Sequence, residues 1–431
     1  MTVIDDILAD FGSAVGRGVV VDSPPGAGKS TLVVRAARTM AEAGERLMVV
    51  AQTNEQVDDL IDRLASTAPS VEIGRLSAST YNPAQRVIKH GSVTVSGAVS
   101  DVQTCAVVIG TAAKWATVTE GVWERAIVDE AYQMRSDMLL RVAGRFSRGL
   151  FVGDPGQLDP FSVVAVERWA GLSWDPMQSA VAVLLRHNPD LPLHRLPVSW
   201  RLPPSAADVV SAAFYPFTPF AAGTKPSDRS LEFSVRAIGG DQQIEATLET
   251  ARRTGWALHE LPARHTVRTD REAVTAIADI VVNLLRRGPV AYSEHAPEGR
   301  PVTADRVAVG AAHRDQVAAI RQALADTVAA DVTVDTANRL QGREYDVTVI
   351  LHPLSGRRDA SAFHLEAGRL CVLASRHRHA CVVVARAGIA ELLDTHPSAE
   401  PVHLNVPVRF PDGWEANQAM LAHLSTVDAT G

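Results

Sequence analysis

The segment from residue 18 to 44 constrains the fold more than any other part of the chain. It begins with the apolar run "GVVVDS", which is typical of a short buried strand. A turn of prolines and glycines follows, and "KSTLVVRAARTMAEAG" then continues with helical spacing and ends at Gly44. A strand, a tight turn and a helix in this order open a β–α–β unit. The segment therefore predicts a parallel sheet covered by helices.

The same alternation of strand and helix continues along the chain. Further strand candidates lie at 46–52, 105–111, 125–131 and 149–154, and a second series lies at 306–313, 332–338, 345–352 and 379–386. Strands that alternate with helices indicate parallel sheets with helices on both faces. We predict an α/β fold of two tandem domains, 1–195 and 196–431.

Two other regions carry weaker patterns. Residues 216–303 are rich in turns containing proline, glycine and aspartate, and we expect an insertion or surface loop there. The tail "DGWEANQAMLAHL" predicts an aspartate-capped helix that docks on the body of the protein through Trp414, Leu421 and Leu424.

Composition excludes several classes of protein. No apolar run approaches the ~18 residues of a membrane span, and the acidic start "MTVIDDILADFG" does not resemble a signal peptide. The three cysteines lack C-x-x-C spacing, which argues against a disulfide framework or zinc site and favours a reducing cytoplasm. The net charge of −7 gives no support for nucleic-acid binding by the chain as a whole, although a local groove can be basic.

The turn after the first strand, "SPPGAGKST" at 23–31, is close to the phosphate-binding pattern G-x-x-x-x-G-K-[ST]. In such a loop the backbone N–H groups face the phosphates, Lys29 reaches the β- and γ-phosphates and Ser30 ligates Mg²⁺. The opening glycine is replaced by Ser23, which we expect to be tolerated if its φ is negative. The residues predicted to bind nucleotide here are Pro25, Gly26, Ala27, Gly28, Lys29, Ser30 and Thr31.

Two later strand ends carry polar groups suited to phosphoryl transfer. Asp129 and Glu130 end the run "RAIVDE", where one carboxylate can hold Mg²⁺ and the next can activate water. Taken alone, such a pair more often caps a helix. Gln157 follows the strand candidate in "LFVGDPGQLDPF", which alone could be a surface turn.

In this order the three motifs resemble those of superfamily 1 helicases. "DEAYQ" followed by "GDPGQLDP" is similar to the B class, and the nonsense-decay and senataxin-like branch, with its loop G-P-P-G-T-G-K-T, looks closest. The resemblance implies two tandem RecA-like P-loop domains with parallel sheets. It also implies ATP and Mg²⁺ in the cleft between them, single-stranded DNA or RNA across both, and 5′→3′ travel.

The resemblance assigns roles to residues along the rest of the chain. "VVAQTNEQVDDLIDRL" and "VVIGT" are similar to motifs Ia and Ic, and "TANRLQGREYD" to motif V. By this resemblance Gly342 and Glu344 belong to the nucleotide site. The residues that it places beside nucleic acid are Thr53, Asn54, Gly110, Thr111 and Thr336.

Motifs IV and VI supply the remaining nucleotide contacts. "LPVSWRLPP" resembles motif IV, which implies that Trp200 stacks on adenine and Arg201 contacts the γ-phosphate. "RLCVLASRHR" is similar to motif VI, so Arg376 corresponds to its arginine finger. The resemblance completes the catalytic set as Lys29, Asp129, Glu130, Gln157, Arg201 and Arg376, with Ser30 and Asp129 on Mg²⁺.

The chain also departs from the family pattern. Asp159 and Asn338 replace the usual proline and aspartate, and the seventeen residues before the first strand contain neither the adenine-reading glutamine motif nor room for the stalk and β-barrel insertion. Two alternatives to a helicase therefore stay open. One is an ATPase that translocates or remodels nucleoprotein without unwinding, and the other is a nucleotide-gated scaffold or binding protein.

Overall fold

A computed structural model describes residues 2–13, 16–156, 178–235, 241–267, 269–396 and 411–429. The chain divides into two compact units. The first ends at Leu196, and the second comprises the chain from Pro197 onward together with a short segment that begins at Gly156. Within the described ranges, no helix has both the length and the apolar character needed to cross a membrane.

The first unit is built on one eight-stranded sheet in which every pair is parallel. Its strands are β1 (Gly18–Asp22), β2 (Leu47–Ala51), β3 (Ile73–Leu76), β4 (Val93–Ser96), β5 (Val107–Thr111), β6 (Trp123–Asp129), β7 (Phe146–Gly153) and β8 (Leu193–Arg195). They lie in the order β4-β3-β5-β2-β6-β7-β1-β8. The five strands predicted in this half of the sequence are all present.

Helices connect these strands and pack on the sheet. They are α1 (Val3–Gly12), α2 (Lys29–Glu42), α3 (Asn54–Thr67), α4 (Gln85–Ile88), α5 (Ala112–Trp115), α6 (Ser136–Ala143) and α7 (Ala180–His187). The strand β1 is buried along its whole length, and α2 turns Leu32, Val33 and Ala36 into the same apolar core. This burial fixes the loop between β1 and α2 at the carboxyl edge of the sheet.

The second unit contains a five-stranded parallel sheet and two small sheets. Its strands are β9 (Val198–Ser199), β10 (Ala221–Ala222), β11 (Ser230–Phe233), β12 (Trp256–Leu261), β13 (Pro289–Ser293), β14 (Ala296–Pro301), β15 (Val307–Ala311), β16 (Thr333–Thr336), β17 (Tyr345–Leu351) and β18 (His377–Arg386). The large sheet has the order β12-β18-β17-β15-β16; β11, β13 and β14 form an antiparallel sheet, and β9 pairs with β10. The predicted α/β class with parallel sheets in both halves is confirmed.

Helices cover both faces of the large sheet. They are α8 (Pro204–Phe214), α9 (Gln242–Thr254), α10 (Arg271–Arg286), α11 (Arg314–Leu324), α12 (Ala337–Leu340), α13 (Ala362–Leu365), α14 (Ala367–Ala374), α15 (Ile389–Thr395) and α16 (Gly413–Ala429). Along β18, Val382 packs into one apolar cluster and Cys381 and Val383 into the other. This alternation is what a strand buried on two faces produces.

The prediction for residues 216–303 is wrong. This region contains β12, which is an outer strand of the large sheet, and α10, which is part of the main apolar core. Ala273, Ile277, Ile280 and Leu284 recur at helical spacing on the buried side of α10. The turns rich in proline and glycine lie between these elements, and they obscured the periodicity of the elements themselves.

The C-terminal helix agrees with its prediction. The Asp412 carboxylate accepts a hydrogen bond of 2.8 Å from the backbone N–H of Glu415, and so caps α16. Leu424 is fully buried, and the Trp414 indole donates a 2.8 Å hydrogen bond to the carbonyl of Leu393. The helix therefore docks on the second unit.

Candidate functional site

The phosphate-loop candidate joins the end of β1 to the start of α2. Gly26 and Gly28 both have left-handed backbone conformations, with φ of 73° and 90°. A Cβ on Gly28 would meet no atom within 4 Å, so glycine is needed there for its conformation rather than for space. Lys29 and Ser30 follow in the first turn of α2, where backbone N–H groups are available to an anion.

Ser23 has no positive φ, which meets the condition under which we expect a serine to be tolerated at this position. Among the described non-glycine residues only Glu130 has a positive φ. The backbone N–H of Ser23 donates a 2.8 Å hydrogen bond to the carbonyl of Gly153 at the end of β7. Its buried hydroxyl has no hydrogen-bond partner among the described residues. The serine thus fits the loop but adds no visible interaction to it.

Lys29 and Glu130 are brought together at the carboxyl edge of the first sheet. The Lys29 ammonium group forms a short ion pair with Oε1 of Glu130, and both side chains are largely buried. The other carboxylate oxygen of Glu130 accepts a 3.0 Å hydrogen bond from the amide group of Gln133. The strand order places β7 between β1 and β6, so that the ends of these three strands are neighbours.

The buried charges around this pair shift one another's pKa values. Burial opposes the positive charge of Lys29, but Glu130, Asp129 and Asp154 outweigh it and raise the pKa of the ammonium group. Burial and the adjacent Glu130 charge raise the pKa of Asp129 to about 7, against the opposing effect of Lys29. Excess negative charge in a buried site is a setting in which a bound cation is stabilised.

Glu130 has the left-handed conformation, with φ of 54°. Such a conformation costs a residue with a side chain about 1–2 kcal/mol. The backbone N–H of Glu130 donates to Oδ1 of Asp129 at 3.0 Å, and that of Ala131 donates to the carbonyl of Val152 at 3.0 Å. These bonds hold the turn after β6, and strain of this kind is concentrated at functional sites.

The donor atoms fit a nucleotide with Mg²⁺. A serine hydroxyl and an aspartate carboxylate, as in Ser30 and Asp129, are hard oxygen ligands of the kind that Mg²⁺ prefers, with phosphate and water oxygens completing its coordination. The left-handed glycines shape a loop whose backbone N–H groups can bind phosphate.

Sequence reasoning missed three residues of this cluster. Asp154 is buried and acts on the charge of Lys29, and its place directly after β7 could have identified it. Gln133 orients Glu130, and the Tyr132 hydroxyl donates to the Asp22 carboxylate at the end of β1. Both lie in the motif "DEAYQ", in which sequence reasoning assigned roles only to Asp129 and Glu130. The predicted residue Gln157 lies outside the described residues.

The second unit places Trp200 and Arg201 just after β9. The Trp200 side chain is largely exposed, while the Arg201 guanidinium donates from Nε to Glu344 at 3.1 Å. Arg378 donates to the other oxygen of Glu344 at 3.0 Å. Burial opposes the negative charge of Glu344, but Arg201 and Arg378 outweigh it and lower its pKa. Gly342 is left-handed, with φ of 80°.

The environment of Arg376 differs from that expected of an arginine finger exposed at the surface. Its side chain is buried, and it donates from Nε to the carbonyl of Val372 at 3.0 Å and from Nη2 to the hydroxyl of Ser375 at 2.7 Å. Arg378, two residues later, is more exposed. Sequence reasoning did not assign a role to Arg378.

The residues predicted to contact nucleic acid in the first unit lie at neighbouring strand ends. Thr53 follows β2 and Thr111 ends β5, and these strands pair in parallel with Ala51 opposite Thr111. Each threonine hydroxyl caps the following helix, Thr53 by accepting from Gln56 and Thr111 by accepting from Lys114. The capping role explains both threonines locally and is compatible with a further contact.

The other predicted contacts have distinct environments. The Asn54 side chain accepts a 2.8 Å hydrogen bond from the buried Arg75. A Cβ on Gly110 would lie 3.1 Å from the carbonyl of Leu76, so the chain packs closely there. In the second unit Thr336 ends β16 and precedes α12.

Two family models, each described as an AAA domain, match residues 12–169 and 178–388. Together they span most of the chain, and the first contains the loop at Lys29 and the carboxylates at Asp129 and Glu130. Both matched parts of the chain are AAA domains.

Several solved structures are similar to this AAA-domain protein. Arterivirus nonstructural protein 10, a helicase, is 13% identical with a TM-score of 0.46 over 89% of this chain and 61% of its own. Its complex with DNA is 14% identical, with a TM-score of 0.45 over 90% of this chain and 64% of its own. The PRRSV helicase is 12% identical, with a TM-score of 0.44 over 94% of this chain and 58% of its own. The chain thus spans about three fifths of the length of these proteins. No curated protein sequence matches it.

Proposed function

We propose that this AAA-domain protein is an ATP-dependent helicase or translocase of the B class of superfamily 1, which moves 5′→3′ on single-stranded nucleic acid. The observation that carries the proposal is the buried cluster of Lys29, Asp129 and Glu130 at the phosphate loop. The ordered motifs of the sequence and the two AAA-domain matches support it.

In the proposed reaction the first unit binds the phosphates of the nucleotide and activates the attacking water. The loop from Pro25 to Thr31 cradles the phosphates through backbone N–H groups, and Lys29 offsets the charge that develops on the transferred phosphoryl group. Ser30 and Asp129 would hold Mg²⁺, which when bound supplies positive charge to the phosphate oxygens. Glu130, oriented by Gln133, accepts the proton of the attacking water, and Gln157 is proposed to orient that water.

The second unit supplies aromatic and cationic groups. We assign adenine stacking to the exposed Trp200 and γ-phosphate contacts to Arg201 and Arg376, with Gly342 and Glu344 in the same site. An arginine that meets developing phosphoryl charge is worth on the order of 10³-fold or more in rate. Hydrolysis would be coupled to movement because these groups and Lys29 belong to different units.

Single-stranded nucleic acid is the proposed track. Thr53, Asn54, Gly110, Thr111 and Thr336 would contact its phosphates without reading bases, which predicts sequence-tolerant and salt-sensitive binding. The same hydroxyls at the ends of β2 and β5 suit a backbone that crosses this edge of the first sheet.

Phosphate release in the presence and absence of single-stranded DNA and RNA tests the proposal. We expect hydrolysis of ATP that a single strand stimulates, and displacement of streptavidin from the 3′ end rather than the 5′ end of a biotinylated strand. A duplex with a 5′ tail then separates helicase activity from translocation alone. A wild-type protein without turnover under any of these conditions would favour a scaffold and refute the proposal.

A further inference from the structure

A buried arginine links the small antiparallel sheet to the segment that carries Trp200 and Arg201. Arg229 lies directly before β11 and Glu294 directly after β13, and these strands pair with Ser230 opposite Tyr292. The Arg229 side chain is only 1% exposed. It binds Glu294 with two hydrogen bonds, from Nε at 3.0 Å and from Nη2 at 2.6 Å. This planar two-point contact fixes the guanidinium in one orientation.

The same guanidinium also binds the backbone beside the predicted nucleotide contacts. Nη2 of Arg229 donates to the carbonyl of Trp200 at 2.7 Å, and Nη1 donates to the carbonyl of Arg201. One buried side chain thus holds two consecutive carbonyl groups. Because Arg229 is itself held by Glu294, the backbone between β9 and α8 is tied to the small sheet.

A series of ion pairs also links Glu294 to the side chain of Arg201. Glu294 lies 3.5 Å from Nη2 of Arg378, Arg378 donates to Glu344 at 3.0 Å, and Glu344 accepts from Nε of Arg201 at 3.1 Å. The hydrogen bonds from Arg229 are the largest of the effects that lower the pKa of Glu294, to about 2. Alternating charges therefore connect the backbone of Arg201 to its own side chain.

One face of the Trp200 ring packs against Gly223. A Cβ added to Gly223 would lie 2.5 Å from Cε3 of the indole, so the ring rests against the glycine backbone. The Gly223 N–H donates to the carbonyl of Ser199 at 2.7 Å. The Trp200 side chain nevertheless remains 59% exposed, which is unusual for a tryptophan and leaves ring surface available to a planar ligand.

We propose that Arg229 and Glu294 are positioning residues that hold Trp200 and Arg201 ready for a nucleoside triphosphate. This inference rests on the proposed function. By this inference the small antiparallel sheet holds Trp200 and Arg201 in position and does not itself contact the nucleotide. Contacts held in place before binding lose less conformational entropy when the ligand arrives, so their loss weakens binding.

Arg229→Met tests the inference, with Arg287→Met as the matched control. Arg287 is also a buried arginine beside the small sheet and binds two carboxylates, Glu245 at 3.0 Å and Glu249 at 2.6 Å, but it has no bond to residues 200 or 201. We expect Arg229→Met to raise the KM for ATP roughly tenfold, as the loss of about one oriented contact would. It should also speed amide hydrogen exchange in residues 198–202 of the nucleotide-free protein.

Glu294→Gln gives a second, milder variant that keeps the side-chain shape. It should change KM and exchange in the same direction by a smaller factor. Unchanged exchange and KM in Arg229→Met, or equal effects in Arg287→Met, would overturn the inference while wild-type turnover leaves the proposed function standing. A wild-type protein that neither binds nor hydrolyses ATP would overturn the proposed function and this inference together.

Discussion

Lys29 and Glu130 form a buried ion pair although 101 residues separate them in the chain. The first begins α2 and the second follows β6, and the parallel sheet brings both to one edge. A lysine of the phosphate loop is therefore held beside the carboxylate proposed as general base.

Lys29→Ala should abolish ATP turnover. The lysine offsets charge on the transferred phosphoryl group, and its loss should cost roughly 10²-fold or more in rate. Lys89→Ala is the control, because Lys89 is an exposed lysine of the same unit that pairs with Asp62. Steady-state phosphate release measures both, and equal rates for Lys29→Ala and Lys89→Ala would exclude the loop as the active site.

Ser23→Gly in the same loop should change turnover little, since Ser23 has an ordinary φ and its hydroxyl makes no bond to the described residues. A large loss of turnover in this variant would mean that the serine has a specific role.

Two substitutions of Glu130 should separate its role in ATP hydrolysis from the effect of its positive φ on stability. Both Glu130→Ala and Glu130→Gly remove the carboxylate and should stop hydrolysis while ATP still binds. Glycine adopts a φ of 54° without the steric cost of a Cβ, so Glu130→Gly should unfold with about 1 kcal/mol more free energy than Glu130→Ala. Chemical denaturation of the two variants measures this difference, and the reverse order would show that the left-handed turn is absent in solution.

Arg376→Ala should lower turnover on the order of 10³-fold and leave ATP affinity largely intact, because the loop at Lys29 remains. Arg264→Ala serves as the control, since this arginine is exposed and pairs only with Glu272 in the described structure. Because Arg376 is buried, Arg376→Lys and a thermal unfolding curve accompany the test. Normal turnover in a folded Arg376→Ala protein would show that motif VI is misaligned.

Thr53 offers a test that distinguishes capping from phosphate contact. Aspartate caps helices as well as threonine does, so Thr53→Asp should preserve the stability of α3. Its negative charge should repel a nucleic-acid phosphate and weaken single-strand binding about tenfold at low salt, which corresponds to about 1.4 kcal/mol. Fluorescence anisotropy measures binding, with Thr53→Ser as the control. Unchanged affinity in Thr53→Asp would remove Thr53 from the proposed track.

Buried histidines should make the protein less stable in acid. Burial lowers the pKa of His377 to about 3 from its ordinary 6.5, and neither ring nitrogen has a hydrogen-bond partner in the described part of the chain. Between about pH 3 and pH 6.5 the unfolded chain binds a proton at His377 that the folded chain does not bind. Stability is therefore complete above about pH 6.5 and falls toward pH 3, by up to about 1.4 kcal/mol per pH unit for this residue.

His377→Phe removes this titration and keeps an aromatic ring against Trp256. We expect a shallower loss of stability between pH 6.5 and 3 in urea unfolding. A slope equal to that of the wild type would mean that His377 is protonated in the folded protein.

The strands that flank the phosphate loop could be predicted because buried parallel strands are continuous apolar runs, as in "GVVVD". The strand β3 escaped prediction because it is four residues long and contains Arg75, whose charge is satisfied by Asp58 and Asn54 only in the folded structure. The interaction of Arg229 with Glu294 has no local pattern at all, since 65 residues separate the partners. Contacts of this kind depend on the tertiary fold and not on spacing.

The position of β1 bears on the order in which the protein can assemble during synthesis. Although β1 precedes β2 to β8 in the sequence, its two neighbours in the sheet are β7 and β8, which end at Gly153 and Arg195. A nascent chain that has released only β1 to β6 has no neighbour for the strand that precedes the phosphate loop. Pairing over such sequence separations is slow, because a long loop must close before any contact forms. The strand before the loop gains its sheet neighbours only after β7, and then β8, have left the ribosome, so the earlier nascent chain carries the phosphate-binding residues without the site.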